Sequence, residues 1–231
     1  MSKQKHGMVV AIDGPSGAGK STVSRMLAKR LGYLQIDTGA MYRAAALLMS
    51  RAGIDFENLQ SVENFCKNIH IKLDSVDGGQ HVFANGHDVT EQIRTPEISL
   101  LTSRISALKP VREALMRAQR DLGENGGVVL EGRDIGTVVF PDAELKFFLS
   151  ASPEERGRRR FAELVEKGEK VTLEKTINDV IQRDEQDTKR DLAPLKQAED
   201  AIVIDSSALA IDEVLDLMEK YVKQRTEEKR S

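Results

Sequence analysis

Gly14-Pro15-Ser16-Gly17-Ala18-Gly19-Lys20-Ser21 fits the pattern G-x-x-x-x-G-K-[ST] at every position, and its flanks restrict what it can belong to. Before it, Met8-Val9-Val10-Ala11-Ile12 is a short apolar run, β-branched in its middle, of the kind that is buried on both faces of a parallel sheet. After it, Val23, Met26, Leu27 and Leu31 recur at helical spacing between Lys20 and Leu31, and Gly32 stands where that helix should stop. Tyr33-Leu34-Gln35-Ile36 reads as a second strand. Strand, glycine-rich loop, helix and strand within about thirty residues make a βαβ unit, the mark of a parallel sheet. In that setting the glycines let several backbone N–H groups face one anion at the positive end of a helix. Gly14, Pro15, Ser16, Gly17, Ala18, Gly19, Lys20, Ser21 and Thr22 are therefore expected to hold a nucleoside triphosphate. Lys20 would reach the β- and γ-phosphates, and the Ser21 hydroxyl would meet Mg²⁺.

The rest of the chain keeps the same rhythm. Gly127-Val128-Val129-Leu130, Leu145-Lys146-Phe147-Phe148-Leu149 and Ala201-Ile202-Val203-Ile204 are further candidate strands, each followed by a segment of helical character, the last from Asp212 to Lys223. The expectation is an α/β fold, doubly wound, with about five strands. At 231 residues, 40% of them hydrophobic, the chain can bury a core without disulfides or structural metals. Its one cysteine, Cys66, cannot form an internal bridge, reads as structural, and suits a reducing cytoplasm. A net charge of −3 argues against a nucleic-acid or membrane-surface partner. No stretch approaches the ~20 apolar residues that span a bilayer. No secretory leader pattern is seen either, so a cytoplasmic protein is expected. The charged tail from Gln224 to Ser231 is expected to fray.

Two regions break the rhythm. From about 62 to 94 the pattern changes to short alternating pieces. Ile69-His70-Ile71-Lys72-Leu73 and His81-Val82-Phe83-Ala84 are read as antiparallel strands, with turns at Asp77-Gly78-Gly79 and Asn85-Gly86. This is either a small β insert with a function or a loop excursion. From Arg156 to Arg190, arginines and lysines interleave with Phe161, Leu164 and Val165; Gly168 breaks the pattern and Thr172 is a candidate N-cap for a second helix. These helices read either as a solvated charged face or as a mobile cover over a ligand.

The loop identifies a triphosphate and leaves the acceptor open. Neither the D-x-x-G nor the N-K-x-D pattern of regulatory GTPases occurs in the chain, which leaves a small-molecule kinase as the leading class. Such an enzyme needs a second anion site at the carboxyl ends of its strands. Asp37-Thr38-Gly39-Ala40-Met41-Tyr42-Arg43 begins where the second strand ends, with Thr38 as a candidate cap for a helix starting near Gly39. Glu131-Gly132-Arg133-Asp134 follows the third strand. Arg43 and Arg133 are either surface ion pairs or two guanidinium forks on one phosphate. His6, His70, His81 and His87 are scattered outside every motif and carry no expected role.

These motifs, with Val111-Arg112-Glu113-Ala114-Leu115, the extension from Gly132 to Pro141, and Gln182-Arg183-Asp184-Glu185-Gln186-Asp187-Thr188-Lys189-Arg190, closely resemble the bacterial cytidylate kinases from Met8 to about Tyr221. The resemblance implies a P-loop kinase core with a five-stranded parallel sheet flanked by helices. It implies a single domain, divided into a core (about 1–60, 106–155 and 191–231), a monophosphate-binding insert with a small β element (about 61–105) and a helical lid (about 156–190). It implies transfer from ATP, with Mg²⁺, to CMP and dCMP, giving CDP and dCDP in pyrimidine nucleotide metabolism, by a protein expected to act as a monomer. Thr38, Arg43 and Arg133 would hold the acceptor phosphate, Tyr42 would pack near the sugar, and Arg183 and Asp187 would meet the ribose. Ser103, Arg112 and Asp134 would face the base, and that trio makes chemical sense. A carboxylate accepts from the cytosine amino group while a guanidinium and a hydroxyl donate to its acceptors, and uracil reverses that pattern. Lys20, Arg133, Arg159 and Arg190 would stabilise charge on the transferred group, with Arg156, Arg158 and Arg160 as further candidates; at least one or two of the run from Arg158 to Arg160 would be plain surface residues. Glu131 is linked to the metal at most through water. The alternatives are a kinase for another monophosphate or small acceptor, and a P-loop sensor without turnover.

Overall fold

The computed structural model describes residues 7–76 and 79–229. β1 (Val9–Asp13) is buried at every position, as a run of Val, Val, Ala and Ile must be when both faces are covered. α1 (Lys20–Leu31) ends on Gly32, whose left-handed backbone (φ 67°) turns its N–H back to the carbonyls of Ala28 and Lys29. β2 (Leu34–Asp37) completes the βαβ unit, and α2 (Thr38–Arg51) starts directly from it. The cap of α2 is Asp37 rather than Thr38. The Asp37 backbone is still extended, so its carboxylate can take the Ala40 N–H at 2.8 Å, whereas Thr38 is already the first helical residue.

α3 (Leu59–Cys66) follows, then β3 (Ile71–Val76), β4 (Gly79–Ala84) and β5 (His87–Asp88). A 3₁₀ turn at Gln92–Arg94 leads to α4 (Pro96–Ile105) and α5 (Lys109–Gly123). β6 (Val128–Gly132), a π-type turn at Ile135–Val139, and β7 (Leu145–Ser150) come next. The chain closes with α6 (Pro153–Glu166), α7 (Leu173–Lys189), β8 (Ile202–Asp205) and α8 (Ile211–Glu228).

β1, β2, β6, β7 and β8 form one five-stranded parallel sheet in the order β2-β6-β1-β7-β8. β1 is central: Val10 lies beside Val129 on one side and Leu145 on the other. Burial follows from that order. β1 and β6 are buried throughout, whereas in the edge strand β8 only Ile204 is buried.

The chain falls into two compact units, one made of the residues up to Gln35 with those from Asn125 onward, the other of Ile36–Glu124. In the first, Val10, Ile12, Leu27, Phe147, Leu149, Leu215 and Met218 share one core, with α1 packed on α8. α8 runs five residues past Lys223, so the tail expected to fray from Gln224 is helical to Glu228: Arg225 donates to the Glu144 carbonyl (3.0 Å) and pairs with Glu228 (2.9 Å). Among the described residues no helix is long and apolar enough to cross a membrane.

The second unit is organised on α2, whose buried Met41, Ala44, Ala45, Ala46 and Met49 let α4, α5, β3 and β4 pack close. β3 and β4 pair antiparallel, Ile71 opposite Ala84, and β4 pairs with β5 around Asn85 (φ 49°) and Gly86 (φ 85°). Those two left-handed residues make the tight hairpin turn that Asn-Gly favours. Of the other expected turn, Asp77 and Gly78 lie outside the described residues. The alternating region begins later than its reading at 62: residues up to Cys66 are helical, because Asn58 caps α3 through the Ser61 N–H (3.0 Å) and Val62 is buried. Thr172 caps α7 as expected, taking the Lys175 N–H at 3.3 Å.

Candidate active site

In the parallel sheet β1 ends at Asp13, β6 at Gly132, β7 at Ser150 and β8 at Asp205, so the loops that follow these strands open from one edge of the first unit. The loop after β1 is the Gly14–Ser21 motif. Its first glycine is required by packing: at φ 147° a Cβ on Gly14 would lie 2.0 Å from the Leu149 carbonyl oxygen. Gly14→Ala is accordingly expected to cost about 3 kcal/mol or more, read as a drop in the urea midpoint at unchanged slope. A variant with the wild-type midpoint would show that the loop can shift to admit a side chain.

Lys20, the first residue of α1, is 6% exposed, and its Nζ donates to the Pro15 carbonyl at 2.6 Å. Burial pulls its ammonium down to about 7, with Arg133 adding to the effect and Glu131 and Asp13 opposing it. Behind the loop, Ser24 Oγ donates to Glu131 Oε1 (3.4 Å) and accepts from Gln35 Nε2 (3.0 Å), so β6 is tied to α1 through the buried Glu131. Asp13 is 4% exposed and takes the backbone N–H groups of Ile135 (2.8 Å) and Gly136 (2.7 Å). Burial pushes its carboxyl up to about 6, against the pull of those two hydrogen bonds.

The loop after β6 brings several expected residues into one alternating charge cluster. Arg133 Nε donates to Asp187 Oδ2 at 2.8 Å. Arg190 lies 3.8 Å from Asp187 Oδ1 and donates to Asp134 Oδ1 at 3.4 Å, while its Nε donates to the Ala193 carbonyl at 2.6 Å. Burial alone would raise the Asp187 carboxyl, but the guanidinium groups of Arg133, Arg183 and Arg190 outweigh it and hold the group below the usual carboxylate range. Arg133 and Arg183 also act on Lys20, so the cluster and the P-loop share one electrostatic field.

The basic helices sort their arginines by what each touches. Arg156 is 3% exposed and donates to the carbonyls of Ala151 (2.8 Å) and Ser16 (3.0 Å), while pairing with Asp184 at 2.5 Å. Its backbone and Cβ also sit against Gly17, within 3.2 Å of a Cβ placed there. Arg156 is thus a tie between α6, α7 and the loop. Arg159 donates to Ser206 O (2.7 Å) and Ser206 Oγ (3.2 Å), and Ser206 in turn donates to Ala18 O (3.1 Å). Arg158 and Arg160 make the surface pairs Arg158–Glu155 and Arg160–Glu163.

In the second unit, Asp37 Oδ2 accepts from Arg43 Nη2 at 3.2 Å, and the Arg43 Nε is buried with no hydrogen-bond partner among the described residues. A buried unsatisfied guanidinium nitrogen is costly unless a ligand acceptor meets it. The Arg112 guanidinium lies over the Tyr42 ring, 5.8 Å from its centroid, and donates to the Ser106 carbonyl (3.2 Å); the Ser106 hydroxyl donates to the Ser103 carbonyl (2.9 Å). Tyr42, Ser103 and Arg112 are thereby linked, and Thr38 is buried at the start of the same α2.

For a metal, the oxygens at hand are the exposed Ser21 hydroxyl and, behind it, the Glu131 carboxylate. Hard oxygen donors suit Mg²⁺. Among the described residues no group of three or more His, Cys, Asp or Glu is placed to hold a metal ion. The sequence reading gave Asp13 and the buried anchoring of Arg156 no role. An aspartate closing an apolar buried strand is a usable signal for the first; the second depends on contacts across 140 residues of chain.

A family model described as cytidylate kinase matches residues 10–224. A cytidylate kinase of Geobacter sp. (strain M21) is 60% identical over 222 residues, covering 96% of this chain and 95% of that protein. One from Geobacter sulfurreducens is 59% identical over 221 residues, with coverage of 96% and 95%. Among solved structures, a shikimate kinase from Bacteroides thetaiotaomicron aligns with a TM-score of 0.50 at 14% identity (94% of this chain, 98% of that one). A gluconokinase from Sinorhizobium meliloti 1021 aligns with a TM-score of 0.50 at 14% identity (97% and 96%). At that identity the two structures speak for the P-loop kinase fold alone.

Proposed function

We infer the reaction from kinship, since the chain belongs to the cytidylate kinase family and is a nucleoside monophosphate kinase: it transfers the γ-phosphoryl group of ATP to CMP or dCMP, giving CDP or dCDP for the pyrimidine nucleotide pool. One observation supports this beyond likeness, namely the P-loop lysine and the Arg133–Asp134 segment lying in a single electrostatic cluster. A triphosphate donor and a dianionic acceptor need cationic side chains held in one place, because phosphoryl transfer depends mainly on positioning and electrostatics.

In this reading Gly14 to Thr22 wrap the donor phosphates with backbone N–H groups. Lys20, low in pKa because it is buried, is driven to its charged form by phosphate oxygens beside it. Ser21, with Glu131 behind it, would hold Mg²⁺, which would supply neutralisation of charge on the donor phosphates. Thr38, Arg43 and Arg133 hold the acceptor phosphate, and the buried Arg43 Nε supports that role. Tyr42 packs near the sugar, and Arg183 and Asp187 meet the ribose. Ser103, Arg112 and Asp134 read the cytosine edge. The acceptor oxygen is anionic at neutral pH, so no general base is needed. Arg159 and Arg190 serve the transferred group, while α6 and α7 exclude water that would otherwise hydrolyse ATP. We place the enzyme in the cytoplasm with its nucleotides, acting as a monomer and without nucleic acid.

A coupled ADP-release assay offering CMP, dCMP, UMP and AMP separately tests the assignment. Turnover with CMP and dCMP at least about 10²-fold more efficient than with UMP is expected, since a site built on hydrogen bonds rejects the reversed pattern. Equal turnover of UMP and CMP overturns the base reading. ATP binding without turnover of any acceptor would make the chain a nucleotide sensor.

A further inference from the structure

We propose that Asp13 is a positioning residue for acceptor selection: by holding the Ile135 and Gly136 N–H groups it fixes the backbone that presents Arg133 and Asp134. Asp13 ends the central strand, where its register partner on β6 is Gly132, the residue before Arg133. Its two carboxylate oxygens are divided between two consecutive amides, Oδ1 to Ile135 (2.8 Å) and Oδ2 to Gly136 (2.7 Å). The Asp134 peptide is held from its other side as well, because its carbonyl accepts the Val138 (2.9 Å) and Val139 (3.1 Å) N–H groups. Asp134 thus sits at φ −145°, ψ 25°, between the end of β6 and the π-type turn, with both neighbouring segments pinned. The clamp has little slack, since a Cβ on Gly136 would stand 3.0 Å from Lys146 Cδ and 3.4 Å from Asp13 Oδ2. A carboxylate meets two parallel N–H donors with two acceptors, which no neutral side chain of that size does, and its burial (4% exposed) shuts out water as a substitute.

The inference rests on the reading of Asp134 as the residue that takes the cytosine amino group. Asp13→Asn tests it, because the amide is isosteric but turns an N–H donor against one of the two backbone donors. Amide exchange at Ile135 and Gly136 should speed up by about tenfold or more, the fold-change of losing one buried hydrogen bond. The ratio of kcat/KM for CMP over UMP should fall by about tenfold with KM for CMP raised, while the Kd for ADP changes less than about threefold. That ratio does not depend on the fraction of molecules folded. Should Asp13→Asn fail to fold, Asp13→Ser, which keeps one acceptor and adds no clash, is read the same way. Unchanged exchange at the two amides overturns the clamp. Faster exchange with an unchanged CMP/UMP ratio, in a protein where Asp134→Ala does lower that ratio, overturns the link to selection and leaves Asp13 a fold residue. If Asp134→Ala leaves the ratio unchanged, the base reading is what has failed, and the exchange data still judge the clamp.

Discussion

Lys20→Ala is expected to lower kcat with CMP by about 10³-fold while leaving the fold intact. The size follows from burial: an ammonium that is 6% exposed acts on phosphate oxygens through little water, so its interaction with developing charge is strong. The fold should survive for the same reason. Burial already opposes the charged form of Lys20, so removing a desolvated charge relieves a cost that offsets the lost attraction to Glu131 and Asp13 and the lost bond to the Pro15 carbonyl. Single-turnover rates with saturating CMP, alongside a thermal melt, separate the two effects. A variant that transfers phosphate at near the wild-type rate would remove Lys20 from the reaction and return the P-loop to a binding role.

Asp134→Ala is expected to cut kcat/KM for CMP by about 10²-fold or more and to change the ATP Kd by less than about threefold. The asymmetry is the diagnostic part. Asp134 is buried and pairs with Arg190 at 3.4 Å, so a structural role is the competing account. Arg190 nevertheless keeps Asp187 at 3.8 Å and the Ala193 carbonyl at 2.6 Å when Asp134 is truncated, so the cluster should hold its shape. A narrowed preference for CMP over UMP then reports lost base reading. Equal losses for ATP and CMP would instead mark Asp134 as a support of the cluster or of the metal.

Much of the frame was legible from local pattern because its causes are local. Helix α1 is closed by Gly32 and α7 is opened by Thr172, each through one side chain or backbone angle acting within four residues. Local reading failed where two residues competed for one task or where a distant partner decided. Asp37 takes the α2 cap because it is still in extended backbone, which Thr38 has left. The charged end of α8 stays helical because Glu144, on the loop before β7, offers Arg225 a carbonyl and Lys229 a carboxylate.

The arginines show the same division at the site. Their number and position between Arg156 and Arg190 are plain in the sequence, and nothing local tells the buried Arg156 from the exposed Arg158. The strand order β2-β6-β1-β7-β8 decides it. That order sets β1 between β6 and β7, so the P-loop faces Arg133 on one side and the first turn of α6 on the other. By itself the sequence determined the phosphate-binding loop, the strands and helices around it, and through kinship the reaction class. Only the tertiary structure decided that Asp13 clamps the backbone beside Asp134 and that Arg156 is spent on the Ser16 carbonyl. Those bonds join residues more than 100 positions apart, and no periodicity along the chain encodes which distant strand becomes a neighbour.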